Sequence, residues 1–162
     1  ISLKKMFGIE EYSLRTGGCG KPYLVECTDV LFNLSHCTGL AVCGISESEI
    51  GVDCELIRAY SGNAAKRIFS DTEIGLVFES PDPDETFFRI WTLKEALGKA
   101  MGTGILSDLK RYEFVFENGR PVCKALPEKF FSQKIICGKW VVSVCSDVPE
   151  NDFEEVSEKY CN

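Results

Sequence analysis

A single long helical segment, from about Glu85 to Met101, constrains the fold of this chain more than any other feature. It follows the breaker Ser80-Pro81-Asp82-Pro83-Asp84, which holds N-cap candidates, and it stops at Gly102. Strand-like runs flank the helix on both sides, at 30–34, 40–46, 51–56, 112–116, 121–125 and 134–146. The sequence therefore predicts an α+β fold in which a mostly antiparallel sheet is packed with helices.

Two local patterns add detail to this fold. Asn118-Gly119 stands between two alternating runs, which is a strong short-range signal for a β-hairpin. Apolar residues at helical spacing over 62–79 predict helical structure there as well. We expect residues 134–146 to form one or two strands bent near Gly138, and residues 1–22 to form a helix end followed by a glycine-rich loop.

Composition excludes several classes of function. The chain has 162 residues, 44% of them apolar, which is enough to bury a core without a metal or disulfide. A formal net charge of −7 argues against nucleic-acid binding, which needs a positive face. No apolar run approaches the length of a membrane span, and no secretory signal is visible, so we expect neither membrane insertion nor secretion.

The cysteines show no metal-binding pattern. There are nine, an odd number, none in C-x-x-C spacing, and His36 is the single histidine. Zinc sites need clustered Cys and His ligands, so we expect none. Several cysteines alternate with apolar residues in predicted strands, as in Val144-Cys145, where a free thiol behaves as a small hydrophobe. We therefore expect reduced thiols and a cytoplasmic protein.

Asp53 and Glu55 form the first candidate site. Both lie in the predicted strand that continues Ile50-Gly51-Val52, and side chains two apart on a strand point the same way. Two neighbouring carboxylates repel each other unless a cation or water separates them. Hard oxygen ligands of this kind suit Mg²⁺, although a solvated pair at a strand end explains the same pattern.

The long helix carries the second candidate site. Trp91, Glu95 and Lys99 are spaced i, i+4, i+8 and so share one helical face, with Lys94 beside it. A solvated Glu95–Lys99 pair, worth about 0.3–0.5 kcal/mol, explains this spacing equally well when the helix is taken alone.

Two weaker motifs precede these sites. Asn33-Leu34-Ser35-His36 ends a strand in two polar groups, and Gly20-Lys21-Pro22 offers an amine and backbone N–H groups in a loop. The P-loop pattern is absent, so Gly-Lys alone predicts nothing specific.

The motifs gain meaning from their joint order. Gly-Lys-Pro, Asn-Leu-Ser-His, Gly-Val-Asp-x-Glu and Trp-x-x-Lys-Glu-Ala-x-x-Lys follow one another, and then Gly102-x-Gly104. At these residues the chain resembles the 4′-phosphopantetheinyl transferase superfamily, and in particular its larger, two-half surfactin-type branch, in which Ser-His precedes Asp-x-Glu. The segment from Ala65 to Ser70, with Glu73, also fits the family's helix.

The resemblance implies a phosphopantetheinyl transferase-like fold with an incomplete N-terminal half. We divide the chain into residues 1–46, the remainder of that half, residues 47–149, the half with the metal and catalytic motifs, and residues 150–162, a solvated acidic tail. The chain begins at Ile1 without an initiator Met, so we expect either a fragment of a longer product or pairing with another chain that completes the site.

The resemblance also implies an activity, namely transfer of the 4′-phosphopantetheine of coenzyme A to a serine of an apo acyl or peptidyl carrier protein. It assigns Mg²⁺ to Asp53, Glu55 and Glu95, with Glu95 as the base and Lys99 beside the leaving adenosine 3′,5′-bisphosphate. The remaining residues expected to bind coenzyme A are Lys21, Pro22, Ser35, His36 and Lys94. Trp91 is interpreted as an anchor of the helix in the core.

An acidic carrier requires a locally basic docking surface despite the negative total charge. Residues available for it are Lys66, Arg67, Lys110 and Arg111, with Phe69 and Met101 as apolar contacts.

Two other functions remain open at this point. The chain could be a non-catalytic, truncated family member that binds a partner or coenzyme A without turnover. It could also be a Mg²⁺-dependent phosphohydrolase that uses Asp53 and Glu55 on a nucleotide. The hydrolase gives no reason for Ser-His and Trp-x-x-Lys-Glu-Ala to accompany those carboxylates.

Overall fold

The computed structural model describes residues 2–17, 20–103, 109–149 and 153. Its helices are α1 (Ser2–Phe7), α2 (Gly62–Ile68), α3 (Asp71–Glu79) and α4 (Pro83–Ala100), with a 3-10 turn at Leu109–Arg111. Its strands are β1 (Leu14–Thr16), β2 (Pro22–Leu24), β3 (Leu31–Cys37), β4 (Leu40–Ser46), β5 (Ile50–Leu56), β6 (Phe114–Glu117), β7 (Arg120–Cys123), β8 (Phe130–Ile136) and β9 (Trp140–Ser146).

All strand pairings in the described part of the chain are antiparallel, which confirms the predicted α+β class. The central sheet has the order β5-β9-β8, and three two-stranded sheets are formed by β1-β2, β3-β4 and β6-β7. The middle strand β9 is buried along its whole length. The expected bend near Gly138 is the turn between β8 and β9, where Gly138 takes a φ of 63°.

Helix α4 lies on the central sheet and makes its most extensive packing with β5 and β9. It begins at Pro83, two residues before the predicted start, because proline is tolerated in the first turn of a helix, where its missing N–H would have no partner. The N-cap Asp82 accepts a 3.0 Å hydrogen bond from the backbone N–H of Glu85. The apolar side of α4 joins a core cluster with Phe114 and Cys145.

The helical structure expected over 62–79 is confirmed, and the chain divides it into two helices, α2 and α3. Ser70 accepts a hydrogen bond from the backbone N–H of Glu73, and the Glu73 side chain accepts one from the backbone N–H of Ser70. This reciprocal capping starts a new helix and ends the old one at Phe69. Phe69 is fully buried in the core, so it is not the apolar docking contact that we expected.

The β3–β4 hairpin meets the outer edge of β5 through side chains. The side-chain oxygen of Asn33 accepts a 2.8 Å hydrogen bond from the N–H of Val52, and the hydroxyl of Ser35 accepts a 3.4 Å one from the N–H of Cys54. Alternate residues of an edge strand expose their N–H groups to the same side, so two polar side chains on one face of β3 satisfy them. This contact places Ser35 against Asp53.

The cysteines, the apolar character of the helices and the C-terminal tail were also the subject of expectations from the sequence. The described cysteines Cys27, Cys37, Cys43, Cys54, Cys123 and Cys145 are free, whereas Cys137 is disulfide-bonded, so the expectation that all thiols are reduced is wrong. Among the described helices, none has the length and apolar character required to cross a membrane. Gly104 and, apart from Phe153, the acidic tail lie outside the described residues.

Candidate active site

A cavity of about 360 Å³ lies between α4, β5 and the end of β3. It brings together side chains that are far apart in the sequence and that the motif analysis had singled out. The lining residues are Leu34, Ser35, His36, Asp53, Glu55, Trp91, Glu95 and Lys99. Trp91 also stacks on Phe87 at a centroid distance of 5.7 Å, so it contacts both the core and the cavity.

Asp53 is the most buried acid of the cavity, at 6% exposure. Its Oδ1 accepts two hydrogen bonds, from the hydroxyl of Ser35 at 2.9 Å and from the ammonium of Lys99 at 2.8 Å. Its Oδ2 is buried and has no hydrogen-bond partner among the residues that the structure describes. A buried carboxylate oxygen without a partner is costly, so it marks a position suited to a cation or another donor.

Lys99 is fixed by the strands it faces. Besides Asp53, its ammonium donates to the hydroxyl of Ser35 at 2.9 Å and to the carbonyl oxygen of Val52 at 3.0 Å. These three acceptors match the three donors of an ammonium group. Lys99 therefore holds α4 to the edge of β5 and neutralises part of the negative charge of the cavity.

The carboxylates of the cavity influence one another. Burial raises the pKa of Asp53, and the ammonium of Lys99 opposes that rise. Burial raises the pKa of Glu95 as well, and the neighbouring charges of Asp53 and Glu55 add to the effect. Groups that repel in this way favour either protonation or a bound cation. The cavity therefore carries an excess of negative charge that Lys99 alone does not cancel.

The expected Mg²⁺ ligands Asp53, Glu55 and Glu95 all line this cavity. Within the described part of the chain, no three His, Cys, Asp or Glu side chains are already arranged to hold a metal ion. Glu55 Oε2 is engaged by Arg58, whose Nη1 lies 2.8 Å away. Asp53 Oδ2 is nevertheless available, and an all-oxygen donor set is the type that Mg²⁺ prefers. The donor chemistry of this cavity therefore fits Mg²⁺, although Arg58 occupies one oxygen of Glu55.

The structure places Lys94 away from the cavity, which corrects the expectation that it contacts a phosphate. Lys94 is fully buried and pairs with Glu73 at 2.9 Å. Its ammonium also donates to the carbonyl oxygens of Leu109 and Tyr112, both at 2.8 Å. Successive side chains are rotated by about 100° around a helix axis. Lys94 therefore leaves α4 in a different direction from its neighbour Glu95, and it points into the core. Its role is structural.

The buried pair is fully hydrogen-bonded. The Glu73 carboxylate accepts from the N–H groups of Ser70 and Phe114 in addition to Lys94. Burial raises the pKa of Glu73 and lowers that of Lys94, and each group's charge opposes the shift of the other. Because the three ammonium donors of Lys94 all have acceptors, the arrangement fits an ammonium–carboxylate pair. It joins α3, α4 and the segment that leads into β6.

Lys21 and Pro22 line a different cavity, of about 320 Å³, together with residues of β3. Lys21 pairs there with Glu49 at 2.8 Å, and its ammonium lies 3.4 Å from the carbonyl oxygen of Ile50. The structure therefore groups Ser35 and His36 with the carboxylates but not Lys21 and Pro22. Their expected contact with coenzyme A stays a prediction.

Sequence reasoning did not single out Arg58, and it named Glu73 without recognising its partner. Arg58 pairs with Glu55, and Glu73 pairs with Lys94. The Ser70-x-x-Glu73 spacing is a recognisable capping-box signature and could have indicated the break between α2 and α3. No local signal indicates that Arg58 turns back onto Glu55, because an arginine after a strand usually faces solvent.

Comparison with known proteins gives a family match and several relatives. The model of the 4′-phosphopantetheinyl transferase superfamily matches residues 49–145. A 4′-phosphopantetheinyl transferase of Bacillus subtilis is 32% identical over 124 residues, which are 75% of this chain and 52% of the relative. The 4′-phosphopantetheinyl transferase HetI of Nostoc sp. is 43% identical over 94 residues, 53% of this chain and 40% of HetI. The chain spans about half the length of the curated relatives it matches.

Solved structures show a similar fold at low identity. The holo-[acyl-carrier-protein] synthase of Neisseria meningitidis matches with a TM-score of 0.51 and 20% identity, covering 60% of this chain and 96% of that one. The synthase of Thermotoga maritima matches with a TM-score of 0.50 and 22% identity, covering 61% and 62%. At these identities the likeness concerns the fold alone.

Proposed function

The chain belongs to the 4′-phosphopantetheinyl transferase superfamily, and from that premise we propose that it transfers the 4′-phosphopantetheine of coenzyme A to a serine hydroxyl of an apo acyl or peptidyl carrier protein. The reaction depends on Mg²⁺ and releases adenosine 3′,5′-bisphosphate. The observation that carries this proposal is the unpartnered, buried Oδ2 of Asp53 in a cavity that Glu55 and Glu95 also line.

Asp53, Glu55 and Glu95 would hold the metal ion. Bound there, Mg²⁺ would supply charge stabilisation for the pyrophosphate oxygens of coenzyme A as the transition state forms. Asp53 contributes Oδ2, since its Oδ1 is already shared by Ser35 and Lys99. Glu95 contributes a carboxylate from α4, which lines the cavity together with those of β5.

Glu95 is the proposed base. The carrier serine attacks the β-phosphorus of coenzyme A, so a new Ser O–P bond forms while the P–O bond to adenosine 3′,5′-bisphosphate breaks. The serine proton passes to Glu95, directly or through water. Lys99 keeps a positive charge beside Asp53, where negative charge grows on the phosphoryl and leaving-group oxygens.

His36 and Ser35 have different parts in this proposal. His36 is exposed at the rim of the cavity, where its ring can meet an anionic portion of coenzyme A. Ser35 is buried and already bonded to Asp53, Lys99 and the backbone of Cys54. We assign Ser35 to positioning of Asp53 rather than to direct contact with the nucleotide.

A basic surface suits an acidic carrier. Lys66 and Arg67 are exposed on α2, and Lys110 and Arg111 are exposed on the 3-10 turn that α2 contacts. The proximity of these two elements concentrates positive charge on a protein whose formal net charge is −7. We propose that the carrier docks there through its acidic side chains.

One assay tests the proposed function. The protein is mixed with coenzyme A, Mg²⁺ and an apo carrier protein, and the carrier is weighed by mass spectrometry. We expect a mass gain of one phosphopantetheine arm that disappears with EDTA and in Glu95→Gln. Binding of coenzyme A without any mass gain would instead indicate the non-catalytic family member. Hydrolysis of coenzyme A without carrier would indicate the phosphohydrolase.

A further inference from the structure

Arg58 lies two residues beyond β5 and is held at the edge of the candidate active site by three contacts. Its Nη1 donates to Glu55 Oε2 at 2.8 Å and to the carbonyl oxygen of Leu56 at 2.9 Å. Its guanidinium also lies 4.6 Å from the ring centroid of Phe88, on α4. A cation stacked on an aromatic ring and bonded to a backbone carbonyl has fewer conformations open to it than a free surface arginine.

The partner of Arg58 is one of the three carboxylates that line the cavity. Glu55 is three-quarters buried, and its Oε2 is engaged by Arg58 on the side away from Asp53 and Glu95. A guanidinium in this position opposes a cation in two ways. It occupies one oxygen of the carboxylate, and its own charge repels a second positive charge that binds the other oxygen.

We propose that Arg58 determines the metal affinity of this cavity by competing with the divalent cation for Glu55. The inference rests on the proposed function in one respect, namely that the cation binds among Asp53, Glu55 and Glu95. Arg58 is thus a positioning residue, which keeps Glu55 outside the ligand set until a cation draws it in.

Arg58 differs from Lys99, the other cation of the site. Lys99 engages only Oδ1 of Asp53 and leaves Oδ2 without a partner, so it keeps a ligand atom available. Lys99 is also fixed by three acceptors, whereas about half of the Arg58 side chain is exposed. Exposed ion pairs are weak, so we expect a divalent ion to displace Arg58 from Glu55.

Mg²⁺ binding by the isolated protein tests this inference without coenzyme A or carrier. MgCl₂ is titrated into the wild type, Arg58→Met and Arg120→Met, and binding is followed by calorimetry and by the rise in unfolding temperature. Methionine at position 58 keeps an apolar side chain over Phe88 and removes the charge. Arg120 is an exposed arginine of the β6–β7 hairpin, so its substitution reports the effect of net charge alone.

We expect Arg58→Met to bind Mg²⁺ about two- to fivefold more tightly than Arg120→Met, the factor that corresponds to an exposed ion pair. The difference should shrink at high ionic strength, which screens an exposed guanidinium. Equal or weaker binding by Arg58→Met would overturn the inference and leave the metal site intact. Absence of binding in every variant would overturn the metal site of the proposed function and the inference with it. Melting curves in EDTA verify that each variant is folded.

Discussion

A β-carbon added to Gly51 would lie 2.1 Å from the carbonyl oxygen of Ala96, so the backbone of α4 rests directly on β5 at this point. The same added carbon would lie 2.3 Å from the backbone nitrogen of Ala100. Both neighbours are backbone atoms and cannot rotate away as a side chain would. The glycine therefore sets the distance at which the carboxylates of β5 face those of α4.

Gly51→Ala should destabilise the protein by at least about 1–3 kcal/mol, because α4 must move away from β5 to accommodate the methyl group. Gly75→Ala is the matched control, since its added carbon meets nothing within 4 Å. Alanine inside helix α3 should raise stability by about 0.5–1 kcal/mol. Urea unfolding followed by circular dichroism measures both changes, and equal stability of the two variants would contradict the close packing.

Glu95→Gln should make the metal-free protein more stable at neutral pH while it strongly slows transfer. Burial and the charges of Asp53 and Glu55 raise the pKa of Glu95, so the folded state holds this proton more tightly than the unfolded state. Stability contributed by such a group is present below its ordinary pKa and is lost as pH rises through the raised value. Glutamine cannot ionise, so the variant does not lose this stability as the pH rises.

The measurement is the free energy of unfolding in EDTA at pH 7.5 and at pH 4. The advantage of Glu95→Gln over the wild type should be largest at pH 7.5 and should shrink at pH 4. Transfer to the carrier should fall by about 10²–10⁴-fold, as expected for loss of a general base. If the variant is less stable than the wild type at pH 7.5, the prediction is contradicted. The surroundings of Glu95 would then stabilise its ionised carboxylate by more than burial destabilises it.

Lys94→Met should affect stability far more than coenzyme A binding. The substitution leaves Glu73 and the carbonyl oxygens of Leu109 and Tyr112 buried without their donor. Breaking a buried ion pair from one side costs about 3–5 kcal/mol. Adding Glu73→Gln should recover part of that loss, because the uncompensated charge is gone, and a double-mutant cycle measures the coupling. Additive losses would mean that the two groups do not interact.

A control separates this structural role from a catalytic one. Lys99→Met removes the ammonium that faces Asp53 in the cavity, whereas Lys94→Met removes one that faces the core. Where both variants are folded at low temperature, kcat should fall strongly for Lys99→Met and little for Lys94→Met. A large rise in KM for coenzyme A in folded Lys94→Met would instead support the expectation from the sequence that Lys94 contacts a phosphate.

Asn33→Ala should weaken the junction between the β3–β4 hairpin and β5. The substitution leaves the backbone N–H of Val52 without its 2.8 Å acceptor, at a cost of about 1–3 kcal/mol for a buried donor. Amide hydrogen exchange at Val52 should accelerate relative to Val144 on the neighbouring strand β9. Leu34→Ala, on the exposed side of β3, serves as the control. Unchanged protection at Val52 would show that the contact adds nothing to the sheet edge.

The prediction of α4 from the sequence was close because its signals are local. A proline and an N-cap aspartate start the helix, its apolar face repeats at helical spacing, and Gly102 follows its end with a φ of 66°. The Asn118-Gly119 hairpin was correct for the same reason, as both residues have the positive φ that this turn requires. The break between α2 and α3 was missed because helical periodicity continues across Ser70.

The cavity shows the limit of local signals. The sequence placed Asp53 and Glu55 on one strand and Glu95 and Lys99 on one helix, from periods of two and of about four residues. It could not tell which way Lys94 points, because a lysine beside an active-site stripe faces either the core or the substrate. That choice depends on Glu73 and on the carbonyl oxygens after residue 108, whose positions are fixed only in the folded protein.

The sequence by itself determined most of the strands and helices, their order and the acidic and basic residues available to a candidate site. It could do so because hydrophobic period, capping and turn residues act over a few neighbours. Tertiary structure alone decided that Asp53 keeps one oxygen free, that Arg58 turns onto Glu55 and that Lys21 lies at a separate cavity. These outcomes depend on distances between strands and helices that pack across the core, and such distances are set by contacts such as that of Gly51 with α4.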